Sequence, residues 1–363
     1  MKSQISIRTH LLNVLGALLG IGVVLAAPAQ TNPEQILLKD FRPKPLYQIP
    51  QTKVSKARFA AIDMHVHDYV KTEPEMDNWV KTMDKVGIQK VELLTMAVGA
   101  KFDAMTAWYK KHPDRFDLWC GIDYAGYDKP GFGPTAVAEL ERCHATGAIG
   151  VGELVDKGQG LYGAPGMHPD DPRMDPIWEK CSDLHMLVSL HVADPIWFYQ
   201  PMDRHNDGLM NAYHWRLDNQ TNNVGHQAMI DSLERTLKKH PRTIFIACHL
   251  ASCSYDLSIL GRLLDRHPNL YADNSARYAE TAAIPRYVTK FYEQYQDRLL
   301  YGTDMGVGEG MYQDTFRILE TEDEHFYSGL FTYHWPLHGF GLSSTVLKKV
   351  YRDNAQKLLD RGK

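Results

Sequence analysis

Two histidines one residue apart, His65 and His67, end the apolar run "ARFAAIDMHVH". In a strand, residues i and i+2 point to one face, so both imidazoles project together with Val66 opposite. A lone histidine on an apolar element is usually a buried side chain with a satisfied hydrogen bond. Two on one face, followed by Asp68, suit the binding of a cation. Other apolar runs end the same way: Glu153 in "IGVGELV", His191 in "LVSLHVADP", His249 in "IFIACHLAS" and Asp304 in "LLYGTDMG", with "YADNS" closing one more. Each has an ordinary reading. His191 can bond a backbone carbonyl, Asp304 can cap the next helix, and Glu153 can pair with Lys157. Gathered in one place, they would be costly to bury, and a divalent cation compensates all of them at once. Nitrogen and carboxylate donors suit zinc first, with manganese or iron as alternatives.

The elements that must position these residues alternate regularly. Apolar runs at Phe59–His67, Lys90–Met96, Phe116–Asp123, Ala148–Leu154, Met186–Val192, Thr243–Leu250, Asn269–Asn274 and Leu299–Asp304 are mostly continuous. That pattern suits strands of a parallel sheet covered on both faces. Between them lie amphipathic stretches. Trp79, Met83 and Val86 share a helical face before Gly87, a natural stop, and Leu257, Leu260, Leu263 and Leu264 share another, with Ser254 expected as its N-cap. The joints "KKHPDRF", "KKHPRTI" and "DRHPNLY" each end a helix with basic residues and His, stop it with Pro, and open a strand. Eight such units predict an α/β fold, a (β/α)8 TIM barrel with a C-terminal helix, and chemistry at the C-terminal ends of its strands. An open doubly wound sheet is the alternative, but no Gly-rich phosphate loop follows the first strand.

"IDMHVH", a histidine on each of strands five and six, and a "GTD" aspartate on strand eight resemble the metal-dependent amidohydrolase superfamily. The nearest branch is the amidohydrolase-related group that includes aminocarboxymuconate semialdehyde decarboxylase. The resemblance spans about Arg58 to Leu359 and includes the terminal helix "VLKKVYRDNAQKLL". It implies His65, His67, His191 and Asp304 as metal ligands, Asp304 also handling protons, and His249 as the residue that activates water or polarises substrate. Glu153 departs from the carboxylated lysine of several members; it would be a ligand only in a two-metal site, and one ion is the simpler reading.

Two long segments sit at the same barrel end. The one after His191 carries Trp197, Arg204 and Arg216, expected as a lid and substrate wall with an arginine for an anion. A packing or dimer surface is the competing reading. The segment after Asp304 holds Tyr327, Phe331, His334 and Trp335. Arg277, after "ADNSA", is a further candidate for substrate binding.

The 363 residues carry a net charge of -4, with 23% charged and no basic run, so nucleic acid is not expected as a partner. Residues 1–29 have a basic start, an apolar middle and Ala27-Pro28-Ala29, the pattern of a secretory signal peptide cleaved after Ala29. A retained anchor is the alternative, and no cysteine near the cleavage point offers a lipid anchor. The protein is thus expected to be exported, periplasmic or secreted, with residues 30–57 as an extended arm and 58–363 as the barrel. Five cysteines, an odd number with no Cys-x-x-Cys, allow one disulfide but no disulfide scaffold. The leading function is hydrolysis of an amide, ester or lactone-type bond of a small polar molecule by metal-activated water. The alternative is non-oxidative decarboxylation of an unsaturated or aromatic acid, and a non-catalytic ligand-binding barrel stands third. A second copy of the chain is a possible partner, as dimers are common among such barrels.

Overall fold

The computed structural model describes residues 32–361, so the segment expected as a signal peptide lies outside the described residues. Up to Phe41 the described chain consists of two short 3-10 turns, Pro33–Gln35 and Leu38–Asp40. Residues 42–57 run without helix or strand. Thr52 donates from N and Oγ1 to Asp323, and the Ala57 N–H donates to the Val86 carbonyl, which ties this stretch to the domain. No described helix is long and apolar enough to cross a membrane.

Eight parallel strands form one sheet in chain order: β1 Ala61–Val66, β2 Ile88–Leu94, β3 Phe116–Cys120, β4 Gly150–Asp156, β5 Leu187–Val192, β6 Phe245–Ala247, β7 Leu270–Asp273 and β8 Leu299–Leu300. The fold is the expected TIM barrel. β1 and β8 meet through isolated bonds rather than a ladder: Met64 N to the Tyr301 carbonyl at 2.9 Å, and Asp304 N to the His65 carbonyl at 2.9 Å. The buried Asp63 carboxylate completes this seam, accepting from Thr303 N at 3.0 Å and Thr303 Oγ1 at 2.6 Å.

The core has two layers, which is why the strands read as continuous apolar runs. Inside the barrel, Ile62, Met64, Leu94, Trp119, Leu187, Ile246, Tyr271 and Leu300 pack with Ala355 and Leu358 of the terminal helix. Outside, the strands pack on helices such as α1 Glu73–Val86, which buries Met76, Trp79, Met83 and Val86. Thr72 and Glu75 form a capping box at its start, and Gly87 ends it at φ 86°, the left-handed region where glycine has no steric penalty. Two joints behave as expected, with helices ending at Lys239 and Arg266 just before their His-Pro; at the first joint the helix stops at Tyr109, so Lys110 and Lys111 lie beyond its last turn. The helix Leu257–Arg266 is capped by Asp256, which accepts from Ser258 N at 3.0 Å, not by Ser254. The Ser254 hydroxyl instead donates to Glu280. All five cysteines are buried free thiols.

Candidate metal centre

The C-terminal ends of β1, β4 and β5, the turn after β6, and the loop after β8 deliver His65, His67, Glu153, His191, His249 and Asp304 to one spot. None of the ordinary readings holds. His191 lies between Glu153 (Nδ1 to Oε1, 2.7 Å) and Asp194 (Nε2 to Oδ1, 3.1 Å), not against a backbone carbonyl. The helix after Asp304 begins at Glu309 on Gly308, so Asp304 does not cap it. Lys157 pairs with Asp194 at 2.7 Å rather than with Glu153.

Close approach of the backbones builds the site. Gly302 lies so near β1 that a Cβ there would stand 2.9 Å from the His65 Cβ. Gly152, at φ 150°, lets β4 approach β5, where a Cβ would stand 2.6 Å from that of Ser189. The rim is also strained. Residues without glycine's freedom hold positive φ after five strands: Met96, Ala193, the run His249 to Ser252, Ala276 and Asp304. Such residues cluster where function over-determines the backbone.

Three imidazoles share one arrangement. His67 Nδ1–H donates to the Leu94 carbonyl at 2.9 Å, and His249 Nδ1–H donates to the Ser275 carbonyl at 3.0 Å. His65 Nδ1 lies 3.1 Å from Asp273 Oδ2. A carbonyl only accepts, so in a neutral ring the proton sits on Nδ1 and the Nε2 lone pair faces the other way. In all three that direction holds a carboxylate. His67 Nε2 is 3.2 Å from Asp304 Oδ1 and 3.4 Å from Glu153 Oε2. His249 Nε2 is 3.1 Å from Glu153 Oε1. His65 Nε2, 3.6 Å from Glu153 and 3.9 Å from Asp304, is fully buried with no hydrogen-bond partner. Lone pairs set against carboxylates repel unless a proton or a cation lies between them.

The titration of these groups follows the same logic. Burial disfavours a charged His65, but Asp273, Glu153 and Asp304 outweigh it and push its pKa up to about 9. His67 is likewise buried, yet Asp304 and Glu153 carry it up to about 10. Burial also works against the anionic forms of Glu153 and Asp304, and the surrounding histidines overcome it, holding both carboxyls below the usual range. His249 goes the other way: burial, then the neighbouring His191, pushes it down. The donor atoms fit a metal ion in two overlapping sets, His65–His67–Asp304 and His65–Glu153–His249, each with its atoms within 4.8 Å of one another. A third, His65–Cys248–Asp273, lies beneath them. His191 belongs to none of these three.

A cavity of about 260 Å³ opens onto His191, His249 and Asp304. Of the four residues expected to bind substrate, Arg277 lines it. Arg204 is exposed and bonds His205, and Arg216 is taken by Asp218 two residues on, at 2.7 Å. Trp197 is buried behind the wall, packing with Phe198, Ala212 and Leu217 and edge-on to Tyr333. Sequence reasoning gave no role to Asp273, to Asp194, or to Tyr69, whose hydroxyl donates to the Asp304 carbonyl at 2.7 Å.

A parallel α/β barrel with imidazoles and carboxylates converging at its C-terminal mouth defines a class of metal-site enzymes. Within that class, the chain belongs to the amidohydrolase family, whose pattern it matches over residues 56–361. Members of that family use divalent metals. Its fold is shared with 2,6-dihydroxybenzoate decarboxylase from Rhizobium (18% identity, TM-score 0.53, 83% of this chain and 98% of that one). It is also shared with an uncharacterized TIM-barrel protein from Bordetella bronchiseptica (15%, 0.53, 83% and 99%). An amidohydrolase from Burkholderia multivorans is similar too (10%, 0.51, 82% and 98%). No curated protein sequence matches the chain.

Proposed function

We propose that the protein is a metal-dependent hydrolase of an amide, ester or lactone-type bond in a small polar substrate. The observation that carries this reading is the set of three Nε2 atoms turned onto two carboxylates, with His65 Nε2 buried and unpartnered. His65, His67 and Asp304 would hold the ion, with Glu153 as the opposing donor and His249 beside it. His191, clamped between Glu153 and Asp194, would orient Glu153 or join the set by moving off it. A divalent cation in this position supplies Lewis acidity toward a carbonyl oxygen and toward water.

The protein's own groups then have distinct tasks. Asp304 reaches the cavity with its side chain 22% exposed, so its carboxylate can take a proton from attacking water and return it to the leaving group. Tyr69 fixes the backbone of Asp304 while it does so. His249, pushed toward its neutral form with Nδ1–H on the Ser275 carbonyl and Nε2 3.8 Å from Asp304 Oδ2, can accept from the attacking water and so orient it.

Non-oxidative decarboxylation is the second reading, and the fold shared with a dihydroxybenzoate decarboxylase favours keeping it. Zinc is the first expected metal, with manganese or iron next. The test is elemental mass spectrometry of the purified protein beside a His65→Ala, His67→Ala variant, followed by assay of ester, lactone and amide substrates with carbon dioxide monitored. About one equivalent of metal in the parent, lost in the variant, is expected, with hydrolysis free of carbon dioxide release. Two equivalents would make Glu153 a shared ligand. A folded protein that takes up no metal after supplementation would sink the reading.

A further inference from the structure

A second opening lies beyond the end of β4, outside the donor set. It is a groove of about 750 Å³ lined by Gln159, Tyr162, His168, Thr221, Asn222 and the glycine-rich backbone among them. Small-molecule sites run to roughly 300–1,000 Å³, so the space suits a ligand. Both walls are fixed. One is the hairpin of Gly160–Leu161 and Ala164–Pro165, fastened by Tyr162 N to the Val155 carbonyl at 2.9 Å and Gly166 N to the Gln159 carbonyl at 2.8 Å. The other is the turn at Thr221 and Asn222, tied across by Gln159 Nε2 to the Thr221 carbonyl at 3.0 Å and by Val224 N to the Gly158 carbonyl at 2.8 Å. His168 is aimed from below. The buried Asp156 accepts from Gly158 N and Gly160 N with one oxygen and faces His168 Nδ1 with the other at 2.6 Å. A carboxylate only accepts, so a neutral His168 carries its proton on Nδ1 and keeps the Nε2 lone pair free. Among the described residues that Nε2 has no hydrogen-bond partner.

We propose that this groove binds a neutral saccharide unit. Three features select that ligand. No Asp, Glu, Lys or Arg lines the groove, so nothing there compensates a charged ligand. Tyr162 stands at the tip of the hairpin with 60% of its surface exposed, a flat apolar face displayed on fixed backbone. Around it are an imidazole acceptor, two side-chain amides and a hydroxyl, which between them can both donate and accept. A sugar ring offers the matching surface, with C–H groups on its faces and hydroxyls at its edge. Gln159 lies two residues beyond Lys157, which lines the inner cavity, and two residues span at most roughly 7 Å. A saccharide seated here is therefore placed as the outer part of a substrate whose reactive end enters the barrel. That last step rests on the hydrolase reading; the binding itself does not.

The test is isothermal titration of the full chain with cellobiose, lactose, mannobiose and chitobiose, before and after chelation of metal. Digalacturonate serves as the charged rival and trialanine as the peptide rival. The variants are Tyr162→Ala and Tyr162→Phe, with circular dichroism confirming the fold. Saturable binding of at least one neutral disaccharide is expected, roughly tenfold weaker in Y162A, nearly unchanged in Y162F, which keeps the ring face, and retained after chelation. Equal affinity in wild type and Y162A overturns the inference, as does binding that chelation abolishes. Digalacturonate or trialanine binding tighter than every neutral disaccharide, or no disaccharide binding by wild type, overturns it too. None of these outcomes bears on the metal content, so this inference and the hydrolase reading fail separately.

Discussion

The Asp273 carboxylate faces His65 Nδ1 with one oxygen and accepts from the backbone N–H groups of His249 and Ser275 with the other. It thereby fixes the tautomer of one candidate ligand and the backbone of another. Asn in its place can offer an N–H to His65 Nδ1, which would turn the His65 proton toward the carboxylates. D273N is therefore expected to weaken metal binding 10- to 100-fold, about the usual loss for such supporting groups. Competition against a chromophoric chelator measures this, and unchanged affinity would refute the tautomer account. The sequence announced His65, His67, Glu153, His191, His249 and Asp304 because each ends an apolar run, where a polar side chain is conspicuous. Asp273 did not stand out, since Asp-Asn-Ser reads as a turn. Arg216 misled for the opposite reason: a charged residue in an aromatic loop looks available, yet "RLD" already contains its partner.

The turn after β6 is where the elements depart furthest from expectation. The run Thr243–Leu250 was expected as strand, but β6 stops at Ala247, because His249, Leu250, Ala251 and Ser252 form a left-handed stretch with φ between 52° and 58°. Nothing in "HLAS" signals it, since the usual Gly or Asn is missing. Tertiary bonds impose it: Asp273 holds His249 N, and Ser252 Oγ donates to the Ala193 carbonyl at 3.1 Å. Left-handed backbone costs a residue with a Cβ roughly 1–2 kcal/mol. Ala276, half-buried on the same rim at φ 54°, gives a clean probe. Ala276→Gly is expected to leave stability unchanged or raise it by up to about 1 kcal/mol, whereas Ala→Gly in ordinary backbone lowers it by about 0.5–1 kcal/mol. Urea unfolding decides, and a loss of that ordinary size would argue against strain at the rim. The strands themselves were legible because both faces are buried; their ends were not, because loops and seam bonds set them.

Across the whole molecule, two buried polar groups test how the barrel is held. Asn354 Nδ2 donates to the carbonyls of Gln296 at 2.7 Å and Leu299 at 2.8 Å, docking the terminal helix under the barrel. Asn354→Ala leaves both acceptors unpaired and is expected to cost about 2 kcal/mol, read as a lower urea midpoint with metal content unchanged. Glu92 accepts from Trp119 Nε1 at 2.9 Å, and burial, then Asp117, raises its pKa well above the carboxylate range. The folded state therefore holds this proton more tightly than the unfolded chain, and stability falls as pH rises above the ordinary Glu value. Glu92→Gln keeps the acceptor and removes the titration, so its melting temperature should gain on wild type progressively from pH 5 to pH 8. A constant difference would count against it. The seam between β1 and β8 bears, finally, on how the protein is made. His65 and His67 emerge from the ribosome long before Asp304, so a partly made chain cannot assemble the donor set that joins them. If the expected leader delivers the chain unfolded, the ion would be drawn from the compartment where folding finishes, and the metal supply there, rather than in the cytoplasm, would decide which enzyme is produced.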